Sequence, residues 1–193
     1  MYLYFSQKAN QKNSDELVLQ CMNDYLARMH PDRKIPPLTV AREKGLRPCI
    51  PQLPDLCFSV SHSGSCWGCL VGLDSVGFDM EDLDRKQLER FHNPQRKIWE
   101  KVAKRYFSES EFHYVKTCGE EGFFRLWVRK EALLKCEGTG LVAGLSEEVL
   151  TAEGYPADQA GDKVFYETNL RTRVIGVCCA SECSDPPEII VLD

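Results

Sequence analysis

No stretch of the 193 residues approaches the roughly 18 consecutive apolar side chains that a membrane-spanning helix requires, so no membrane partner is expected. The opening Met1-Tyr-Leu-Tyr-Phe5 has neither the basic start nor the long apolar core of a secretory signal, and a cytoplasmic protein is expected. Excess positive charge is missing too: the formal net charge is -5, which argues against a general nucleic-acid binder. There is no Gly-x-Ser-x-Gly turn to support a Ser-His-Asp triad and no Cys/His spacing that resembles a zinc site. With 43% hydrophobic and 27% charged residues the composition excludes wholesale disorder and fibrous repeats. A chain of this length can bury a substantial core, as one domain or as two small lobes.

Ten cysteines are present, but they are scattered from Cys21 to Cys183 and lack the dense framework of a small secreted domain. Reduced thiols are expected. Cys66-Trp-Gly-Cys69 has the C-x-x-C spacing of thioredoxin-like sites at a helix start. Here the surrounding residues read as a buried strand, in which positions three apart face opposite sides of a sheet. The adjacent Cys178 and Cys179 lie in a second apolar run and read as core.

Local patterns give the organisation. Met1 to Phe5 is a short strand, and Ser14 to Met29 places Leu17, Cys21, Met22, Tyr25, Leu26 and Met29 on one helical face behind an acidic first turn. The proline-rich passage from Pro31 to Pro54 cannot be one long element. Strands are expected at Cys57 to Ser61, Cys66 to Leu73 and Val76 to Glu81, and again at Lys163 to Glu167, Arg173 to Ala180 and Glu188 to Leu192. Helices are expected from Pro94 to Tyr106, Ser108 to Thr117 and Phe123 to Cys136. Helices gathered between sheet segments imply an α+β class rather than a regular βαβ series.

Three short segments carry the chemistry: Phe58-Ser-Val-Ser-His62-Ser-Gly64, Gly77-Phe-Asp79-Met-Glu81 and Trp127-Val-Arg-Lys130-Glu131-Ala-Leu-Leu-Lys135. On a strand, Asp79 and Glu81 project from one face and can meet one cation, and hard divalent ions take oxygen ligands. A solvated strand edge accounts for the same pair. Glu131 and Lys135 are one helical turn apart, which fits an i,i+4 ion pair as well as a third carboxylate and cations brought to one locus. His62 follows an apolar strand, where loops commonly present binding groups, although a lone histidine is more often a surface or hydrogen-bonded residue.

The order and wording of these segments resemble the larger, surfactin-synthetase-activating type of 4'-phosphopantetheinyl transferase. That family shows Phe-Asn-hydrophobic-Ser-His-Ser, then Gly-hydrophobic-Asp-hydrophobic-Glu, then Trp-x-x-Lys-Glu-Ala/Ser-x-x-x-Lys. Ser59 stands where the family has Asn. Ala103-Lys-Arg-Tyr-Phe107-Ser-Glu-Ser-Glu111 is similar to the helix before the third motif, and Arg47-Pro-Cys-Ile-Pro51-Gln-Leu-Pro54 to the family's Gly-Lys-Pro passage. The resemblance covers roughly residues 42 to 145.

The resemblance implies a fold of two similar α+β lobes in a pseudo-dimeric arrangement with coenzyme A in the cleft between them. The lobes would be residues 1–75, shortened relative to the family, and 76–193, carrying the metal site. It implies Mg2+-dependent transfer of phosphopantetheine from coenzyme A to a serine of an acyl or peptidyl carrier protein. Asp79, Glu81 and Glu131 would hold the metal; Glu131 and Lys135 would be catalytic, with Glu131 the candidate base. Arg47, Ser61, His62, Lys130 and Lys135 would contact coenzyme A, with Arg42, Lys44 and Lys12 behind Arg47. Arg85, Arg90, Arg96, Lys97, Lys101 and Lys104 would steer an acidic carrier, unless they are simply a solvated face. A monomer is expected if both lobes build the cleft. A non-catalytic relative that binds coenzyme A or a carrier, and a thiol-redox protein built on Cys66 and Cys69, are the alternatives from other classes.

Overall fold

The computed structural model describes residues 1–8, 14–32, 34–84, 97–139, 145, 147–171, 174–181 and 185–192. These form a mixed α+β fold with two four-stranded sheets and three helices. In chain order they are β1 (Tyr2–Ser6), α1 (Ser14–Met29), β2 (Cys57–Ser63), β3 (Cys66–Gly72), β4 (Gly77–Asp82), α2 (Ile98–Tyr106), α3 (Glu109–Glu137), β5 (Gln159–Ala160), β6 (Lys163–Arg171), β7 (Val174–Ser181) and β8 (Glu188–Val191). The first sheet runs β2-β3-β1-β8 and the second β4-β7-β6-β5. All pairings are antiparallel except β1 with β8.

Three apolar cores stack in series. α1 buries Val18, Cys21, Met22, Tyr25 and Leu26, the i, i+3, i+4 positions of one face, against Tyr4, Trp67, Cys69 and Val71 of the first sheet. The other faces of both sheets meet through Leu3, Phe5, Cys66, Leu70, Phe78, Met80 and Cys178. On the far side of the second sheet, α2 and α3 cover Phe165, Val177 and Cys179. Strand β3 is buried along its whole length because it has a core on each side. This separates the C-x-x-C pair: Cys66 enters the core between the sheets and Cys69 the one beneath α1. Burial pushes both thiols above the ordinary cysteine range, the opposite of what a reactive thiolate needs.

Several element boundaries differ from the sequence reading. The two helices expected between Ser108 and Cys136 form one run, broken at Gly119, whose φ of 68° leaves the helical region. The run starts at a capping box, with the Glu111 N–H donating to Ser108 Oγ and the Ser108 N–H donating to Glu111 Oε2, and it stops at Gly138 with φ 72°. Strand β6 extends four residues beyond Glu167, to Arg171, and the two-residue β5 was not expected. The described part of the helix expected from Pro94 begins at Ile98. Lys12, Arg85, Arg90, Arg96 and Arg173 lie outside the described residues. Among the described residues no helix is long and apolar enough to cross a membrane.

Candidate functional site

Among the described residues strand β4 is an edge of its sheet, paired only with β7. Alternation sends Phe78 and Met80 into the core between the sheets, so Asp79 and Glu81 share the opposite face, where α3 crosses. The crossing is close because Gly77 has no side chain: a Cβ there would lie 1.9 Å from the Ala132 carbonyl oxygen and 2.5 Å from the Cys136 nitrogen. Backbone cannot give way as a flexible side chain can. Gly77→Ala is therefore expected to destabilise the fold by about 3 kcal/mol, the upper end of the usual cost of overpacking, measured by denaturant unfolding. An unchanged midpoint would disprove the close approach.

α3 delivers Glu131 and Lys135 from successive turns of one stripe. Lys135 Nζ donates to Asp79 Oδ1 at 2.7 Å, to the Phe78 carbonyl at 3.0 Å and to the Val60 carbonyl at 3.4 Å, so its three protons tie α3 to both β2 and β4. Glu131 is half-buried and its carboxyl is pushed up to about 7. Burial is the main cause, followed by the negative charge of Asp79; Lys135 opposes the shift and Glu81 adds to it.

Strand β2 faces this group with its serines. Ser61 Oγ donates to Asp79 Oδ1 at 2.8 Å and Ser63 Oγ donates to Glu81 Oε2 at 2.6 Å. Ser61 is buried, and its hydroxyl is committed to Asp79 and to the Met80 N–H, at 3.3 Å. His62, one residue along, is exposed on the other face of the strand. Ser63 was not singled out from the sequence; its signal was the i, i+2 repeat of serine along β2.

The three expected metal ligands are thus gathered at electrostatic range, although among the described residues no three His, Cys, Asp or Glu side chains close into a metal-ligand cluster. The donor set suits a hard cation. Two carboxylates are oriented by hydroxyls, and the third is raised in pKa by burial first and then by their charge, a charge excess that a divalent ion relieves.

Lys130 is elsewhere, a correction to its expected contact with coenzyme A. It points away from Asp79, is fully buried, and pairs with Glu111 at 2.8 Å while donating to the Leu145 and Glu147 carbonyls. Neighbouring residues on a helix point about 100° apart, so Lys130 cannot share the stripe of Glu131 and Lys135. Arg47 is tethered as well: its guanidinium donates to the Cys136 carbonyl at 3.0 Å and the Val76 carbonyl at 2.5 Å, joining the loop before β2 to the end of α3. Arg42 bonds Asp15 on the surface.

A cleft of about 370 Å³ opens between the 42–48 loop and β2 on one side and the last two turns of α3 on the other. Arg42, Leu46 and Arg47 line one wall; Phe58 and Val60 form the floor; Glu131, Leu134 and Lys135 line the other wall. Leu46 stands two-thirds exposed at this cleft and was not anticipated. An ionisable acid of raised pKa and an ammonium at the edge of a largely apolar cleft can hold a polyanionic ligand and move a proton there.

Comparison with known proteins gives the family. The model of the 4'-phosphopantetheinyl transferase superfamily matches residues 75–172, just over half of the chain. The 4'-phosphopantetheinyl transferase Sfp of Bacillus subtilis (strain 168) is 35% identical over 99 residues, covering 49% of this chain and 39% of the relative. The 4'-phosphopantetheinyl transferase psf-1 of Bacillus pumilus is 32% identical over 104 residues, covering 52% and 40%. A putative 4'-phosphopantetheinyl transferase, slr0495 of Synechocystis sp., is 35% identical over 96 residues, covering 48% and 35%. The matched part of the chain spans about two fifths of the length of these relatives.

Proposed function

Because the chain belongs to the 4'-phosphopantetheinyl transferase superfamily, we propose that it transfers the 4'-phosphopantetheine arm of coenzyme A to a serine of an acyl or peptidyl carrier protein. Adenosine 3',5'-bisphosphate is the leaving product. The observation that carries this reading is the convergence of Glu131, Asp79, Glu81 and Lys135 at the edge of the cleft.

In this reading Asp79, Glu81 and Glu131 hold Mg2+, which when bound neutralises charge on the pyrophosphate. The carrier serine hydroxyl attacks the phosphorus next to the pantetheine, the phosphoanhydride P–O bond breaks, and the serine proton passes to Glu131. Lys135 fixes Asp79 and adds positive charge beside the breaking bond. Arg47, anchored to α3, shapes the coenzyme end of the cleft, and exposed His62 is the proposed contact for a coenzyme phosphate.

The two-lobe, pseudo-dimeric reading is supported by a path that occurs twice. β1-α1-β2-β3 forms strands in the order β1-β3-β2, and β4-α3-β6-β7 forms them in the order β4-β7-β6. Residues 1–75 and 76–193 are the proposed lobes, with β8 of the second returning to the sheet of the first. A single chain then supplies both walls of the cleft, consistent with a cytoplasmic monomer. Exposed Lys97, Lys101 and Lys104 on and beside α2 are the described part of the proposed carrier-facing surface.

Incubation with coenzyme A, Mg2+ and an apo carrier protein, followed by mass measurement, tests the activity. A gain equal to one phosphopantetheine is expected. Coenzyme A binding with no gain across fatty-acid, polyketide and peptide carriers would instead identify a non-catalytic relative.

A further inference from the structure

Among the described residues the two sheets meet at their edges without sharing a backbone ladder. β2 ends the first sheet and β4 ends the second. An edge strand presents a row of N–H groups on every second residue, and buried ones must find acceptors. Along β4 that row is met by hydroxyls: the Phe78 N–H donates to Ser59 Oγ at 2.9 Å, the Met80 N–H to Ser61 Oγ at 3.3 Å and the Asp82 N–H to Ser63 Oγ at 2.9 Å. All three serines are buried. Their spacing of two matches the strand repeat of β4, so the side chains of one strand stand in for the backbone of a partner strand.

Two of the three rungs do more. A serine hydroxyl has one proton to donate as well as lone pairs to accept with. Ser61 gives its proton to Asp79 Oδ1 and Ser63 gives its proton to Glu81 Oε2, while among the described residues Ser59 accepts from Phe78 and donates to no carboxylate. The same atom that fixes the height of β4 therefore also aims the carboxylate beside the bonded N–H. We propose that Ser61 and Ser63 are positioning residues that lock Asp79 and Glu81 into one orientation for a divalent cation, with Ser59 the purely structural rung of the same ladder. This assignment rests on the proposed metal-dependent transfer. It also replaces the expectation that Ser61 touches coenzyme A, since both bonding roles of its hydroxyl are filled from β4.

Ser59 supplies the internal control. Removing any one hydroxyl leaves one β4 N–H without its partner, so Ser59→Ala, Ser61→Ala and Ser63→Ala should each lower the melting temperature. Only the latter two should loosen a carboxylate. The probe is Mn2+ as a paramagnetic substitute for Mg2+, with binding to the whole chain read from loss of the free-ion resonance signal and no turnover required. Ser61→Ala and Ser63→Ala should each weaken Mn2+ binding on the order of tenfold, while Ser59→Ala leaves it unchanged. Ser63→Thr, which keeps the hydroxyl, should restore it. Where Ser61→Ala does not fold, Ser61→Cys keeps the volume with a much weaker donor and should show the same loss. Equal Mn2+ affinity in all three alanine variants, or an equal loss in Ser59→Ala, overturns the positioning role and leaves the transferase reading intact. Absence of Mn2+ binding to the unmodified protein overturns both.

Discussion

Replacing Glu131 by Gln is expected to lower phosphopantetheine transfer by on the order of 100-fold or more while leaving the fold in place. The substitution keeps the volume beside Leu134 and Lys135 in the cleft wall but removes both the proton acceptor and one anionic oxygen donor. Near-normal transfer by the variant would remove Glu131 from the mechanism. A second signature needs no substrate. The folded carboxyl lies near 7, above its ordinary value of 4.5, so between those values the folded state binds the proton more tightly than the unfolded chain. Its contribution to stability is fully present below about 4.5 and is lost as the pH rises through about 7. The metal-free protein should therefore show a melting temperature that falls more steeply over this window than that of Glu131→Gln. Added Mg2+ should stabilise the unmodified protein increasingly as the pH rises, because the proton that competes for Glu131 is leaving.

The parts of this site that were legible in the sequence are those fixed by local periodicity. Asp79 and Glu81 had to share a face of β4, and Glu131 and Lys135 had to share a stripe of α3. The amphipathic pattern of Ser14 to Met29 gave α1 at its observed bounds. The division of Cys66 from Cys69 followed from the strand repeat alone. Where local rules were set aside in favour of a motif, the reading went astray: Lys130 adjoins Glu131 in the chain, but helical geometry turns it to another face.

What periodicity cannot carry is the identity of a partner distant in sequence. Nothing in residues 57–63 announces that β2 and β4 close a seam through hydroxyls, because that depends on two sheets ending at the same place. Nor does the passage around Arg47 reveal that its guanidinium is held by carbonyls 29 and 89 residues further on. The return of β8 to β1 is of the same kind. A four-residue strand with mostly exposed side chains carries no mark of the sheet it joins. These contacts decide which expected ligands stand free to meet a coenzyme. They tie Ser61 and Lys135 to Asp79, while Glu131 lines the cleft.

Lys130→Met is expected to destabilise the fold strongly although it lies away from the cleft. The ammonium and the Glu111 carboxylate are both fully buried and 2.8 Å apart. Glu111 also accepts the Ser108 N–H at 3.0 Å and the Val149 N–H at 2.9 Å, and Lys130 holds the Leu145 and Glu147 carbonyls. The pair thus ties the start of α3, its middle and the 145–149 segment into one network. Burial pulls the Lys130 ammonium below the ordinary lysine range, with Glu111 holding it back up, so the charge persists only because its partner is there. Removing the lysine strands a buried carboxylate, a loss of about 3–5 kcal/mol, or a fall in melting temperature of roughly 6–20 °C for a chain of this size. Adding Glu111→Gln should recover part of it, since the amide oxygen still accepts a backbone N–H and needs no counter-charge. The Michaelis constant for coenzyme A, measured on the folded fraction, should not move. An unchanged melting temperature with a raised constant would return Lys130 to the coenzyme site from which its burial removes it.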